Sequence, residues 1–176
     1  MDNQQAMTAI TVTLNARLEP IRRADLEDAF NEVMKSLGKD IHVTGGGTLL
    51  GDNGEAQECD IELAIADASD ENISMIIQLF TTMLAPKGSR LFIHGEDVRI
   101  DFGEHEGLAV YFNGTELADE VYENGDINDV FDTLDEAVEG LLGVFMGSGM
   151  ARQKRHFYFY WLLLSAEMKS CNTTAF

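Results

Sequence analysis

The sequence predicts an α+β domain, because two kinds of hydrophobic period alternate along its first 142 residues. Short segments place an apolar residue at every second position, which is typical of half-buried strands. Longer segments place apolar residues three or four positions apart, which is typical of amphipathic helices. Glycine and proline stand at the ends of most segments, as turns require. With 176 residues, the chain has the length of one domain.

The first half of the chain contains three predicted strands and one helix. Residues 10–18 alternate between apolar and polar side chains and form a strand that ends before Pro20. A helix follows and stops at Gly38, with an apolar stripe formed by Leu26, Phe30, Val33, Met34 and Leu37. Residues 45–50 form a strand that enters a turn at 51–54, and residues 58–66 alternate again, so the two strands make a hairpin.

The second half begins with another helix, which Ser69 or Asp70 can cap and which closes at Pro86 and Gly88. Residues 91–93, 98–102 and 108–112 are predicted strands, with a turn at 103–107 between the last two. A third helix spans roughly residues 126–142. The first six elements have the order β-α-β-β-α-β of the ferredoxin-like split βαβ fold. We expect one antiparallel-rich sheet with two helices on one face, extended by a β-hairpin and the third helix.

The composition changes near Gly147-Ser148-Gly149, which suggests a boundary. We expect residues 1–149 to form the single α+β domain. Residues 150–176 are basic and aromatic, with five consecutive aromatic residues at 157–161. This segment is either a terminal strand or helix docked on the domain or an irregular, non-native tail, and the sequence does not separate these alternatives.

The sequence also bears on the compartment. The N-terminus has no basic start and no apolar stretch leading to a cleavage site, so we expect no secretory signal. The longest apolar run, residues 157–164, is too short to span a membrane. Both cysteines are expected to stay reduced, with Cys59 as a small core residue. We therefore expect a cytoplasmic protein.

Catalytic and metal-binding motifs are not found in the sequence. The run Gly45-Gly46-Gly47-Thr48 lacks the lysine of a phosphate-binding loop and is interpreted as a structural glycine turn. The acidic turns at residues 52–55 and 123–126 are too short for a calcium-binding EF-hand loop, although weak calcium binding stays open. The four histidines lack the spacing of a zinc site. We expect no enzyme, no cofactor and no metal.

The clearest signal is the negative charge. The chain carries 31 acidic and 12 basic residues, for a formal net charge of −19. This balance argues against binding to nucleic acid or to anionic membranes, since both require clustered Lys and Arg. Residues 96–139 contain 15 acids and a single Arg, a net charge of −14 in 44 residues.

Four of these acids place carboxylates on one face of the third helix without a compensating lysine, because they are spaced i, i+3, i+7 and i+10. They are Asp129, Asp132, Glu136 and Glu139. Such a face is either a solvated surface that keeps the protein soluble or a docking surface for a cationic partner. On the second interpretation, the binding residues are those of this helix and of the neighbouring hairpins: Asp129, Asp132, Glu136, Glu139, Glu116, Asp119, Glu120, Glu123, Asp101, Glu104 and Glu106.

The chain resembles the immunity proteins of bacterial contact-dependent growth inhibition and related polymorphic toxin systems. The resemblance covers roughly residues 10–145 and rests on length, charge, element order and three segments, Gly46-Gly47-Thr48, Cys59-Asp60-Ile61-Glu62 and Ala85-Pro86-Lys87-Gly88-Ser89. It implies a small cytoplasmic protein that neutralises one toxin domain and has no catalytic residues.

The function expected from these observations is inhibition of a cognate basic toxin domain, a nuclease or RNase, whose active site the acidic surface occludes. Two alternatives stay open. One is a ferredoxin-like regulatory domain that binds a small ligand, by analogy at the level of fold alone. The other is an enzyme that uses carboxylates and a divalent metal. The oligomeric state is left open.

Overall fold

The computed structural model describes residues 6–113, 119, 129, 132, 133, 136, 143–151 and 156–163. Two helices and eight strands have their bounds within these residues, so the protein is α+β. The helices are α1 (Pro20–Ser36) and α2 (Asp70–Thr82), and the strands of the first sheet are β1 (Thr8–Leu14), β2 (Ile41–Leu50), β3 (Ala56–Ile65), β4 (Ser89–Ile93) and β5 (Val98–Phe102).

The first sheet has the strand order β2-β3-β1-β4-β5, and every neighbouring pair is antiparallel. Helix α1 connects β1 to β2, which lie on either side of β3. Helix α2 connects β3 to β4, which lie on either side of β1. Each helical connection therefore passes over one intervening strand.

Both helices cover the same face of this sheet. On β3 the buried residues Cys59, Ile61, Leu63 and Ile65 point to a single face because side chains alternate along a strand. They share one hydrophobic core with residues of both helices, and the rings of Phe30 and Phe80 stack with centroids 5.2 Å apart. The expected alternation of residues 58–66, with Cys59 in the core, is confirmed.

The two helices end in the same way but with different residues. After α1, the N–H of Lys39 donates to the carbonyl of Met34, and Gly38 takes the left-handed conformation with φ 64°. After α2, the N–H of Ala85 donates to the carbonyl of Phe80, and Leu84 takes the glycine position with φ 67°. A left-handed conformation costs a leucine about 1 kcal/mol.

The glycine run of residues 45–47 is strand rather than turn, which corrects the sequence interpretation. Residues 41–50 all belong to β2, with a register irregularity between Val43 and Gly45. A Cβ atom on Gly46 would overlap the carbonyl oxygen of Asp60 and the ion pair between Arg23 and Glu27 on α1. The glycine therefore lets α1 approach the strand.

The expected hairpin of residues 98–102 and 108–112 is wrong. Strand β5 pairs with β4 through the turn at residues 94–97, so residues 103–105 connect two sheets and do not close a hairpin. The next strand, β6 (Glu106–Asn113), belongs to a second antiparallel sheet of order β6-β8-β7, with β7 (Gly143–Ala151) and β8 (His156–Leu163).

The connection between the sheets is fixed at Pro86 and Lys87. The N–H of Lys87 donates to the carbonyl of His105 at 2.8 Å, and its Nζ lies 2.6 Å from Glu106. Gly103, with φ 95°, lies directly against the carbonyl of Pro86. Backbone contacts thus lock the start of β6 against the end of the α2–β4 connection.

Four described residues of the predicted third helix are helical. Asp129, Asp132, Thr133 and Glu136 are helical, and the Thr133 hydroxyl donates to the carbonyl of Asp129 at 2.7 Å. The other residues of the predicted helix 126–142 lie outside the described residues. The predicted boundary at residues 149 and 150 falls inside β7, and residues 156–163 form the central strand of the second sheet.

In the described part of the chain, neither helix has the length and apolarity needed to cross a membrane.

Candidate interaction surface

Basic side chains in the described residues are largely neutralised by neighbouring carboxylates. Residues 6–113 contain eight Lys and Arg residues, and six of them form an ion pair: Arg17–Glu55, Arg22–Asp25, Arg23–Glu27, Lys87–Glu106, Arg90–Glu58 and Arg99–Asp101. The bond between Arg90 and Glu58 is bidentate, and these hydrogen bonds raise the pKa of the arginine. Few positive charges are left to offset the acids.

The carboxylates are much more exposed than the bases. The described residues include four exposed basic side chains, Arg22, Lys35, Lys87 and Arg99. They include 17 exposed acidic side chains: Asp25, Asp28, Glu32, Asp40, Asp52, Glu62, Asp67, Asp70, Glu71, Glu96, Asp97, Asp101, Glu104, Asp119, Asp129, Asp132 and Glu136. A surface with this imbalance attracts cations and basic proteins and repels nucleic acid.

Three of the predicted binding residues lie at the end of the first sheet and just after it. Asp101 is exposed on β5 but pairs with Arg99 at 2.7 Å. Glu104 is exposed in the connection to β6. Glu106 is half-buried and pairs with Lys87, so much of its charge is already compensated. Of this group, Glu104 has the most available carboxylate.

The other predicted residues fall on the segment between β6 and β7. Asp119, Asp129, Asp132 and Glu136 are helical and exposed. The last three have the spacing i, i+3 and i+7, which places them along one side of a helix. Glu116, Glu120, Glu123 and Glu139 lie outside the described residues. We call Asp129, Asp132 and Glu136 the 129–136 triplet.

A matching set of acids on α1 was not predicted from the sequence. Asp25, Asp28 and Glu32 are all exposed and repeat the residue types and the i, i+3, i+7 spacing of the 129–136 triplet. The signal is present in the sequence, but the net charge of this segment obscures it, because α1 also carries Arg22, Arg23 and Lys35. We call these three acids the 25–32 triplet.

Among the described side chains we examine two further kinds of chemistry, metal binding and nucleophilic attack by a cysteine. No group of three His, Cys, Asp or Glu residues among them is arranged to hold a metal ion. Burial raises the pKa of the Cys59 thiol to about 12, and the nearby carboxylates of Asp60, Glu27 and Glu58 act in the same direction against Arg23. A thiol of this kind stays protonated and is a poor nucleophile.

Comparisons with known proteins do not assign the chain to a family. No family model matches it, and no curated protein or solved structure is significantly similar to it. The arrangement of charge is therefore the main guide to function: it suits recognition of a cationic surface.

Proposed function

We propose that the chain is an immunity protein that binds and neutralises a cationic toxin domain, a nuclease of the RNase type. The observation that carries the proposal is the imbalance of 17 exposed acidic against four exposed basic side chains among the described residues. Three of the four exposed bases already pair with a carboxylate, so they do not offset the remaining acids. A nuclease is the natural partner, because its active site is built to receive phosphates.

The proposed mechanism is occlusion of the toxin active site. Carboxylates on the immunity protein occupy the positions that substrate phosphates would take, and the partner's Lys and Arg side chains bind them. The negative field also accelerates the encounter and disfavours acidic proteins as partners. We place the main contact on the 129–136 triplet and count Glu104 as an additional contact.

Co-expression with the toxin domain encoded immediately upstream of the gene tests the function. We expect the two proteins to co-purify and the cells to survive toxin expression. An immunity protein from an unrelated toxin pair, with similar size and net charge, serves as the specificity control. Co-expression without complex formation and without protection would refute the proposal.

Charge reversal tests the location of the surface. We expect Asp129→Lys, Asp132→Lys and Glu136→Lys together to slow association with the toxin domain at least tenfold at low salt, with a smaller effect at high salt. The 25–32 triplet provides a matched control, because its reversal changes the net charge equally. Equal slowing by both triple variants would mean that net charge alone acts, and greater slowing by the control would move the contact to α1.

We further infer that residues 8–93 adopt the ferredoxin-like split βαβ topology, and that the helix containing the 129–136 triplet extends this core. The strand order β2-β3-β1-β4 and the two helical connections that each pass over one strand support the first inference. The helical conformation of four residues between 129 and 136 supports the second. Because RNase substrates are cytoplasmic, we place the protein in the cytoplasm.

A further inference from the structure

An open cavity of about 410 Å³ lies where the beginning of α1 approaches the end of α2. Its walls come from the end of β1 and the segment after it, from α1, and from the end of α2 and the segment after it. The lining is mostly apolar and includes Leu14, Leu18, Leu26, Phe80, Met83 and Leu84. Cavities of this size and polarity accommodate small organic ligands.

Two side chains of opposite charge, Arg22 and Asp25, complete the lining. They are exposed, at 59% and 64%, and therefore form the mouth of the cavity. The closest approach of their charged atoms is 3.8 Å, which is too long for a hydrogen bond. Each group can therefore bind an additional partner of opposite charge without breaking a hydrogen bond between them.

The conformation of Leu84 is a second, independent feature of this cavity. Gly38 occupies the equivalent left-handed position after α1, whereas α2 uses a leucine there. Glycine would adopt this conformation without strain. The leucine side chain forms part of the cavity wall, so the unfavourable backbone conformation accompanies an apolar lining. Strained residues of this kind tend to occur at binding sites.

We propose that the cavity binds a free hydrophobic α-amino acid in its zwitterionic form. The side chain of the ligand occupies the apolar interior, its carboxylate pairs with Arg22, and its ammonium group pairs with Asp25. This site is separate from the interaction with a toxin and does not depend on it.

The overall charge of the protein favours a zwitterion over an amphiphile of a single sign. A fatty-acid anion would be repelled by a chain of net charge −19. An alkylammonium ion would be repelled locally by Arg22, and it has no carboxylate with which to pair that guanidinium. A hydrophobic amino acid has no net charge and satisfies both groups at the mouth.

Titration of the ¹⁵N-labelled full chain, followed by NMR, tests the ligand class. The probes are L-leucine, 4-methylpentanoate (which lacks the ammonium group), 3-methylbutylamine (which lacks the carboxylate) and glycine (which lacks the apolar side chain). We expect L-leucine to shift the amide signals of Leu84 and Ala85 and to bind at least fivefold more tightly than the other three. Equal binding of leucine and either single-charge analogue would overturn the proposal, as would the absence of leucine-dependent shifts.

Variants at the mouth test the residues. Arg22→Gln and Asp25→Asn each remove one charge from an exposed side chain, and we expect each to weaken L-leucine binding at least about fivefold. Arg99→Gln is the matched control, because the Arg99–Asp101 pair has nearly the same exposure, 59% and 68%, but lies outside the cavity lining. An unchanged affinity in both mouth variants, or an equal loss in the control, would contradict the assignment. Neither result affects the toxin-binding test.

Discussion

Gly103 shows how a single residue fixes the connection between the two sheets. Its φ of 95° suits glycine, and a Cβ atom at this position would overlap the carbonyl group of Pro86. We expect Gly103→Ala to lower the free energy of unfolding by about 3 kcal/mol, since strain and overlap act together. Urea denaturation measures this change.

Gly95 provides the control for this variant. It has a similar φ of 90°, but a Cβ atom added there would meet no described atom within 4 Å. We therefore expect Gly95→Ala to cost only about 1 kcal/mol, which is the conformational part alone. Equal losses in the two variants would show that contact with Pro86 contributes nothing.

Cys59 makes stability depend on pH in the alkaline range. Burial raises the pKa of its thiol from 9.0 to about 12, so between these values the unfolded chain releases a proton that the folded chain retains. The free energy of unfolding therefore keeps its full value below pH 9, and it falls as the pH rises toward 12 because ionisation of the thiol stabilises the unfolded chain. We expect the wild type to lose about 2 kcal/mol more than Cys59→Ala between pH 8 and pH 10.5. Parallel pH dependence of the two proteins in urea denaturation would contradict this expectation.

At the scale of elements, β2 illustrates two different uses of glycine. Gly46 lies beneath the ion pair between Arg23 and Glu27, whereas a Cβ atom on Gly47 would meet no neighbour within 4 Å among the described contacts. We expect Gly46→Ala to destabilise the protein by about 2 kcal/mol because α1 must move. Gly47→Val should stabilise it by about 0.5 kcal/mol, because valine suits a strand better than glycine does.

Thermal denaturation of the two variants, checked by urea titration, measures both effects. The same change in both, in either direction, would indicate that the spacing between α1 and β2 does not depend on Gly46. If Gly47→Val is more stable than the wild type but Gly46→Ala is as stable as the wild type, the role of Gly46 is unsupported.

Local patterns predicted the elements of the first sheet but not all of their partners. The alternation on β1 and β3 and the stripes on α1 and α2 arise from one buried face, so they are readable from the sequence. The pairing of β5 with β4 was missed because the turn at residues 94–97 has a weaker signal than the glycine-rich segment at 103–107. Strand β7 was missed because Gly147, Ser148 and Gly149 disfavour strands locally, and pairing with β8, which begins five residues after β7 ends, compensates for this.

At the scale of the whole molecule, the net charge of −19 opposes compact folding through self-repulsion. We expect an increase from about 20 to about 200 mM NaCl to stabilise the protein by about 1 kcal/mol, which raises Tm by about 2–4 °C. Sodium sulfate at the same ionic strength should act equally if screening is the cause. Reversal of the 25–32 triplet should reduce the effect, and a Tm that is independent of salt would contradict the role of self-repulsion.

The sequence also predicted the acidic character of the surface, since Asp and Glu side chains are rarely buried unless they are paired. It could not predict which charges are neutralised. Lys87 and Glu106 are 19 positions apart, and their contact depends on how the two sheets are joined. The cavity beside Leu84 was equally hidden, because it is formed by residues from β1, α1 and α2 that converge only in the fold.

The order of strands in the second sheet has a consequence for synthesis on the ribosome. The first sheet is complete once Phe102 has emerged, but β6 pairs with β8, which is made after β7. At translation rates of about 5–20 residues per second, β6 waits several seconds for its partner. During this interval an apolar strand is exposed on the nascent chain, and the acids that follow it in the sequence oppose its association with neighbouring chains. The acids to which we assign partner binding thus also protect the nascent chain until β8 has been made.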